Sequence, residues 1–276
     1  MKNITISVTN LDEPILLRDF LQKQKISHTL VKKAKRTGIF VNGVPVTVRY
    51  TVKNGDTVLL MLPDEKSEGI PPINIPLKII YEDEFILVVD KPKNMPTHPS
   101  RGNSLPTLAN AVMAHCGENF VFRAITRLDR DTSGLVLIAK DARVANILSA
   151  QIKQGRIYKR YTALLSGIPE ESHRIISAPI RRESEESIKR IVAPDGKEAT
   201  TEYFIKEIIG ENALCDVVLH TGRTHQIRVH MAYIGHALLG DFLYGERSDD
   251  GYYLRCSEIG FIHPMTNEYL SIKVPS

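Results

Sequence analysis

Acidic and basic side chains are crowded together in the stretch I-T-R-L-D-R-D-T-S-G-L-V-L-I-A-K, residues 125–140. Asp129 is flanked by Arg127 and Arg130, and a second acid, Asp131, follows. Neighbouring cations favour the ionised form of a carboxylate, so Asp129 is predicted to act as a nucleophile or a base rather than as a proton donor. The alternative is an arginine-paired surface acid. Asp131 is interpreted as a turn residue, a common role for aspartate.

A second dense segment, L-H-T-G-R-T-H-Q-I-R-V-H-M-A-Y-I-G-H-A-L-L-G-D, occupies residues 219–241. It is predicted to contain a helix from Thr224, its N-cap, to Ile234. Arg228 lies beside the apolar stripe of that helix, where an unpaired charge would be costly. We therefore expect Arg228 to have an anionic partner, either a carboxylate or a phosphate. The alternative is an arginine that points to solvent.

Two tyrosines occur on a predicted strand in I-Y-K-R-Y-T-A-L-L-S-G, residues 157–167. Tyr158 and Tyr161 are three positions apart, so on a strand they face opposite sides, and only one of them can line a given pocket. For either tyrosine taken alone, packing in the core or at a sheet edge is the more frequent explanation.

Other chemistries find less support in the sequence. Three histidines, His220, His225 and His230, are five residues apart, which is the wrong spacing for a zinc site on one helical face. Neither the G-x-x-x-x-G-K-[S/T] loop nor the G-x-G-x-x-G pattern of nucleotide-binding proteins occurs, and there is no G-x-S-x-G turn. The cysteines are isolated from one another, which indicates buried thiols in a reducing compartment and makes the cytoplasm the expected location. They are Cys116, Cys215 and Cys256.

The elements that must position these residues can be read from composition and periodicity. The chain has 276 residues, of which 42% are apolar, and no apolar run approaches the ~18 residues that span a bilayer, so no membrane association is expected. Strand-like segments outnumber helical ones without strict alternation, which predicts an α+β fold with a mixed or antiparallel sheet. Strands are predicted at 85–90, 134–139, 158–165, 201–209, 214–220 and 269–274, and helices at 106–115, 141–154 and 224–234.

The net charge of +4 lies entirely in the first quarter of the chain, since residues 1–65 hold 10 Lys/Arg and 6 Asp/Glu and the remainder holds 26 of each. A helix predicted from its N-cap Ser27 to Thr37 carries Lys32, Lys33, Lys35 and Arg36. This pattern favours binding to a polyanion, although a segment that is basic by chance is the alternative. A proline-rich stretch is interpreted as a linker, so the predicted organisation is a domain at 1–65, a linker at 66–76 and a domain at 77–276.

Five motifs, taken in the order in which they occur along the chain, resemble those of a known protein family. They are V-D-K-P-K-N-M-P-T-H-P, T-R-L-D-R-D-T-S-G-L-V-L-I-A-K, K-R-Y-T-A-L-L-S-G, G-K-E-A-T-T-E-Y and H-T-G-R-T-H-Q-I-R-V-H-M-A-Y-I-G-H-A-L-L-G-D-F-L-Y-G. Together they resemble the RluA-type RNA pseudouridine synthases over residues 77–276. The N-terminal L-x-x-F-L, basic helix and V-N-G-V-P-V resemble the small αL-type RNA-binding domain named after ribosomal small-subunit protein four.

The resemblance implies roles for individual residues. Asp129 matches the catalytic aspartate of the family, and Tyr161, not Tyr158, matches the tyrosine that contacts the target base. Arg228 matches the arginine that pairs with the catalytic carboxylate. The chain departs from the family at Thr126, where histidine is common, so any contact made by that histidine is in doubt.

The implied reaction converts uridine in ribosomal or transfer RNA to pseudouridine, without metal or organic cofactor. The target base must be flipped out of its stack. Asp129 would then either attack C1′ or remove a proton to start elimination of the base, and the sequence does not decide between the two. Arg127, Arg130 and Arg228 would keep the carboxylate ionised, and Arg127 could fill the space that the flipped base leaves.

The implied partner is RNA, with large-subunit ribosomal RNA as the first expectation and a monomer as the expected state. The basic helix would contact phosphates, together with Arg127 and Arg130 near the site. A second basic cluster is expected to flank the catalytic cleft and comprises Lys153, Arg156, Lys159 and Arg160. Two alternatives are a non-catalytic RNA-binding protein with a synthase-like body and another RNA-modifying enzyme, such as a methyltransferase.

Overall fold

The computed structural model describes residues 2–62, 70–99, 106–117 and 120–275 of the chain. Its elements form a mixed α+β fold with two separate hydrophobic cores, and the predicted fold class is confirmed. One core is built from residues 8–62 and the other from residues 86–272. The predicted linker lies between them; its residues 66–69 fall outside the described residues, and 70–76 form no helix or strand.

The N-terminal unit is a four-stranded sheet covered by two helices. Its elements are β1 (Lys2–Ser7), β2 (Ile15–Leu16), α1 (Leu17–Lys23), α2 (His28–Thr37), β3 (Ile39–Val41), β4 (Val44–Pro45), β5 (Thr51–Val52) and β6 (Thr57–Leu62). The sheet has the order β1-β6-β3-β4, and β2 pairs with β5. As predicted, Ser27 caps α2 by accepting a hydrogen bond from the Leu30 nitrogen at 3.3 Å. An Asn42-Gly43 turn, in which both residues have positive φ angles, joins β3 to β4.

The body is built on a nine-stranded sheet with the order β11-β14-β15-β10-β16-β9-β8-β7, and β17 also pairs with β16. Its strands are β7 (Lys78–Glu82), β8 (Ile86–Lys91), β9 (Ser133–Ala139), β10 (Tyr158–Leu165), β11 (His173–Ser177), β14 (Thr200–Ile209), β15 (Asn212–Leu219), β16 (Leu254–Ile262) and β17 (Tyr269–Lys273). A separate hairpin pairs β12 (Ile180–Arg182) with β13 (Arg190–Val192). The helices are α3 (Leu108–Cys116), α4 (Ala142–Lys153) and α5 (Gln226–Tyr233).

Strand β9 is an interior strand of this sheet and lies between β8 and β16. All seven of its residues are buried, and it runs antiparallel to β8 and parallel to β16. A strand buried on both faces reads as a continuous apolar run, which is what the sequence after the Asp129 segment shows. Burial of β9 therefore fixes where that segment enters the fold.

Two kinds of prediction differ from the structure. Five strands of the body, namely β7, β11, β12, β13 and β16, were not predicted from the sequence. Among them β16 lies between β9 and β10, and charged and polar residues interrupt its apolar pattern. The predicted N-cap Thr224 is wrong, since α5 begins at Gln226 after His225, which has a φ of 56° and makes no capping hydrogen bond with its side chain. The Gln226 Oε1 atom instead accepts a hydrogen bond from the Arg223 nitrogen at 2.9 Å, and so a residue inside the helix satisfies a donor of the preceding turn.

Gly134 at the start of β9 provides a test of the close approach between β9 and β16. Its φ is +108°, and an added Cβ would lie 2.6 Å from the Cys256 nitrogen. We expect Gly134→Ala to lower the free energy of unfolding by at least ~2 kcal/mol, because both strain and collision must be relieved. The matched control is Gly155→Ala, which has a φ of +66° but open space, and should cost ~1 kcal/mol. Equal losses for the two variants in urea titrations would contradict this account.

Candidate active site

Residues from three distant segments line one cavity at the end of β9. Asp129 comes from the loop before β9, Tyr161 from β10 and Arg228 from α5, and Arg127 also borders this space. The remaining lining residues are Leu128, Thr132, Leu219, Arg223, His225, Gln226, Ile227 and Leu254. The cavity thus contains four of the predicted site residues, from three segments of the chain.

Arg228 is buried, and a second carboxylate holds it in place. Its Nε and Nη2 atoms donate hydrogen bonds to the two oxygens of Asp241, both at 2.7 Å, and its Nη1 lies 3.7 Å from Asp129 Oδ2. Burial opposes the charge of Arg228, but the bonds to Asp241 outweigh this effect, and the pKa of the guanidinium is raised. The expected anionic partner exists, since Arg228 lies 3.7 Å from Asp129, and a second carboxylate that was not predicted, Asp241, is closer and bidentate.

Aromatic rings complete the surroundings of this guanidinium. The centre of the Arg228 group lies 4.6 Å from the ring of Tyr252, 4.9 Å from that of Tyr244 and 5.8 Å from that of Phe242. Ring faces attract a cation and exclude water, so they restrict the guanidinium to one position. The hydrogen-bonding edge of Arg228 therefore remains turned to the two carboxylates.

Arg130 has a different role from the expected one. Its Nε and Nη2 atoms donate to the two oxygens of the neighbouring Asp131, at 2.8 and 2.9 Å. Among the described residues Arg130 forms its ion pair with Asp131 and none with Asp129, so the structure offers no contact for the expected role of Arg130 beside Asp129. Asp131 itself lies in a turn, as predicted.

The sequence analysis missed Lys91 as a residue that shapes the site. Its side chain is fully buried, and its ammonium group donates hydrogen bonds to the carbonyl oxygens of Pro92, Met95 and Arg130 at 2.9, 2.8 and 3.0 Å. Burial lowers the pKa of Lys91 to about 8, although the charge of Asp131 partly opposes this shift. In the sequence, the only indication that Lys91 belongs to the site was its position in the motif V-D-K-P-K-N. The three bonds tie that loop to the residue that follows Asp129.

Two threonines hold the backbone on the other side of Asp129. Thr97 Oγ1 donates a hydrogen bond to the Leu128 carbonyl at 2.8 Å. Thr126 Oγ1 accepts one from the Leu137 nitrogen of β9 at 3.0 Å. At the position where the family commonly has histidine, Thr126 therefore makes an internal contact with the sheet.

His225 was considered only as a metal ligand, and the structure places it beside Asp129. Its Nε2 lies 3.7 Å from Asp129 Oδ2, and its Nδ1 lies 2.8 Å from the hydroxyl of Tyr244. That hydroxyl also accepts a hydrogen bond from the Arg190 nitrogen at 2.9 Å and can donate its own proton to Nδ1; in that tautomer the ring proton is on Nε2, the nitrogen that faces Asp129. Burial lowers the pKa of His225, which favours the neutral ring.

Tyr161, and not Tyr158, faces the cavity. Tyr161 is buried, and this burial raises the pKa of its phenol well above the ordinary value, so the hydroxyl stays protonated. The Tyr158 hydroxyl instead accepts a hydrogen bond from Arg160 Nε at 2.9 Å. The cavity therefore combines a carboxylate, a neutral aromatic ring and a guanidinium, which suits a reaction on a planar base next to a sugar.

Comparisons with known proteins show the family of this chain. The sequence model of the RNA pseudouridylate synthase family matches residues 85–233. The chain belongs to this family. It is 38% identical over 267 residues to an RNA pseudouridine synthase of Bacillus subtilis (strain 168), with 94% of each chain covered. It is 35% identical to ribosomal large subunit pseudouridine synthase D of Zymomonas mobilis, with 88% of this chain and 84% of the relative covered.

Solved structures show the same fold. Human RNA Pseudouridylate Synthase Domain Containing 1 superimposes with a TM-score of 0.61 at 28% identity, over 73% of this chain and 84% of the human chain. Human RNA Pseudouridylate Synthase Domain Containing 4 gives a TM-score of 0.58 at 19% identity, over 72% of this chain and 88% of the human one, which supports the fold alone. The chain is therefore an RNA pseudouridine synthase, an isomerase that modifies RNA.

The basic residues predicted to contact RNA lie in different places on this synthase. Lys32, Lys35 and Arg36 are exposed on α2, Lys33 is half-buried there, and none of them lines the catalytic cavity.

In the part of the chain that the structure describes, no group of His, Cys, Asp and Glu could hold a metal ion, and no helix is long and apolar enough to cross a membrane.

Three members of the second basic cluster have different surroundings. Lys159 lies near the catalytic cavity, since an added Cβ on Gly222 would lie 3.3 Å from its ammonium nitrogen. Arg160 approaches Glu258 at 3.9 Å, and Arg156 lines a different cavity. The structure therefore divides a cluster that is continuous in sequence.

The Arg228–Asp241 pair should contribute to both stability and activity of the synthase. We expect Asp241→Asn to lower the free energy of unfolding by about 3 kcal/mol and to reduce isomerisation, because it leaves the buried guanidinium short of negative charge. Asp131→Asn, which affects the more exposed pair, should cost less than about 1 kcal/mol. Chemical denaturation and kinetic assays on both variants would measure this difference, and the same small cost for Asp241→Asn would refute the proposed anchor.

Proposed function

We propose that this synthase isomerises uridine in structured RNA and that Asp129 starts the reaction at the sugar of a flipped-out nucleotide. The observation that carries this proposal is the position of Asp129 in one cavity with Tyr161, 3.7 Å from the buried guanidinium of Arg228. An ionised carboxylate beside a protonated tyrosine and a held cation meets the needs of this chemistry.

The reaction breaks the C1′–N1 bond, rotates the uracil and joins C1′ to C5. Asp129 either attacks C1′, with the base leaving through N1, or removes a sugar proton to start elimination of the base. Both routes use the carboxylate as an anion, and the guanidinium of Arg228 places a positive charge 3.7 Å from it. In both routes the C5 hydrogen is lost to solvent, which provides a direct assay.

Tyr161 and His225 have distinct roles in this proposal. The ring of Tyr161 contacts the uracil and helps to retain it in the cavity while it rotates. The Nε2 proton of His225 faces Asp129 and helps to orient its carboxylate. Flipping of the nucleotide makes the ribose accessible, since a base inside a helix cannot reach this site.

Arg127 is proposed to fill the space that the flipped base vacates. It lines the cavity, its side chain is exposed, and it has no hydrogen bond or ion pair within the described part of the chain. An arginine free of a carboxylate can stack on bases or contact phosphates of the distorted RNA. Arg130, which is paired with Asp131, stays a predicted contact of the RNA backbone.

The substrate is proposed to be large-subunit ribosomal RNA, recognised by a monomer in the cytoplasm. Support comes from the proposed organisation, in which 1–65 form a small αL-type RNA-binding domain, 66–76 a linker and 77–276 the synthase domain. The relative from Zymomonas mobilis carries the name ribosomal large subunit pseudouridine synthase D. On the N-terminal domain, the residues proposed to bind phosphates are Lys32, Lys33, Lys35 and Arg36.

Asp129→Asn tests the proposed role of the carboxylate. We expect release of tritium from RNA containing 5-tritiated uridine to fall by at least ~1000-fold, because an amide can neither attack C1′ nor take a proton. RNA binding by this variant should persist. The matched control is Asp131→Asn, two residues away, which should retain activity within about tenfold. If the chain carrying Asp129→Asn were as active as wild type, or if wild type bound RNA without releasing tritium, the proposed reaction would be wrong.

Arg127→Ala tests the proposed role in base flipping. We expect kcat/KM to fall about 10- to 100-fold on a substrate whose target uridine is base-paired, because the cost of unstacking is no longer compensated. The loss should shrink when the target uridine is unpaired, since that base is already accessible. Single-turnover rates on the two RNAs provide the measurement, and equal losses on both would remove this role.

A further inference from the structure

A cavity separate from the catalytic one lies between the N-terminal unit and the body. Its volume is ≈ 1090 Å³, and its walls come from α1 and α2 on one side and from α4 and the turn after β16 on the other. We name it the interdomain groove. The two walls are joined by a hydrogen bond from Asn146 Nδ2 to Ser27 Oγ at 3.0 Å, and Ala142 packs against the N-terminal core.

The groove carries positive charge that the protein does not neutralise. Lys25, Lys35 and Arg49 project from the N-terminal wall and Arg156 from the body, and within the described residues none of them forms an ion pair. The carboxylate in the lining belongs to Asp19, which already contacts Arg18 at 3.3 Å.

Several cations near the catalytic cavity and the central sheet are held by carboxylates, unlike these four. Arg228 binds Asp241 at 2.7 Å, Arg130 binds Asp131 at 2.8 Å and Arg255 contacts Asp90 at 2.7 Å. A concave surface with several unpaired cations attracts a polyanion.

The groove also has apolar lining. Ile26, Ile147 and Ile262 contribute to it and are buried or half-buried, whereas the four cations are exposed. Proteins that bind unpaired RNA combine these two features, because cations contact the phosphates while apolar or aromatic surface contacts sugars and bases.

The interdomain groove is too far from the catalytic cavity to hold the target nucleotide. Leu254 lines the catalytic cavity and Ile262 lines the groove, and they are the two ends of the nine-residue strand β16. At ~3.3 Å per residue, the two sites lie ~26 Å apart along the sheet.

We propose that the interdomain groove binds a second, unpaired segment of the same RNA, through its sugar-phosphate backbone, while the target uridine occupies the catalytic cavity. This inference rests on the proposed function for the identity of the RNA. It explains why cations from both sides of the predicted linker meet at one surface that lies away from Asp129.

The test compares two double variants of the full chain. Lys25→Gln/Arg156→Gln removes one cation from each wall, and Lys53→Gln/Lys206→Gln removes one exposed cation from each unit outside the groove. Binding to an in vitro transcript of large-subunit ribosomal RNA is measured across a salt series. We expect the groove variant to bind about tenfold or more weakly and to show a salt slope smaller by roughly 1.4, since about 0.7 is lost for each single-strand phosphate contact. The control should match wild type.

The conservative pair Lys25→Arg/Arg156→Lys should restore both affinity and salt slope, which a purely structural defect would not allow. Equal weakening in the groove and control variants, no weakening in either, or failure of the conservative pair to bind would each overturn the inference. Tritium release by wild type on the same transcript is measured in parallel. Its absence would count against the proposed function alone, because the binding comparison does not depend on turnover.

Discussion

Burial of the Arg228 guanidinium is the constraint on which the arrangement of the site depends. A cation that is 4% exposed cannot remain without a negative partner, and Asp241, fully buried, meets this need with two short hydrogen bonds. The surrounding aromatic rings remove the remaining freedom of the group. As a result, one edge of Arg228 faces Asp129 at a distance that allows attraction without a tight pair. A carboxylate that is held loosely keeps an oxygen free for substrate.

The position of Asp129 depends on backbone contacts made by residues around it. Lys91 binds the carbonyl of Arg130, Thr97 binds that of Leu128, and Thr126 binds the backbone of β9. Contacts from residues 91–97 and from β9 thus fix the loop on both sides of the acid. Such a fixed loop needs little rearrangement when the substrate arrives, which is the physical basis of electrostatic preorganisation.

The architecture also separates the chemistry from the proposed recognition of RNA. The catalytic cavity lies at one end of β16 and the interdomain groove at the other. Specific modification of a large RNA requires contacts beyond the target base, because loop bases and shape distinguish one uridine from another. A rigid strand between the two sites would make their spacing a fixed property of the enzyme.

Features that depend on neighbouring residues could be predicted from the sequence alone. The cap at Ser27, the turn at Asn42-Gly43 and the buried strand after Asp129 each follow from local backbone preferences or from a short run of apolar residues. The α+β class and the selection of Asp129, Tyr161 and Arg228 for one site also came from sequence, the latter through the resemblance of ordered motifs.

Only the tertiary structure decided which charges pair. Arg130 binds its neighbour Asp131, whereas Arg228 binds Asp241, and Arg156 lies in the interdomain groove although it is three residues from Lys159. The strand β16, whose sequence gives a weak signal, proved to join the two sites. The physical reason is that the strength of an ion pair depends on distance and burial in space, and spacing along the chain determines neither of them.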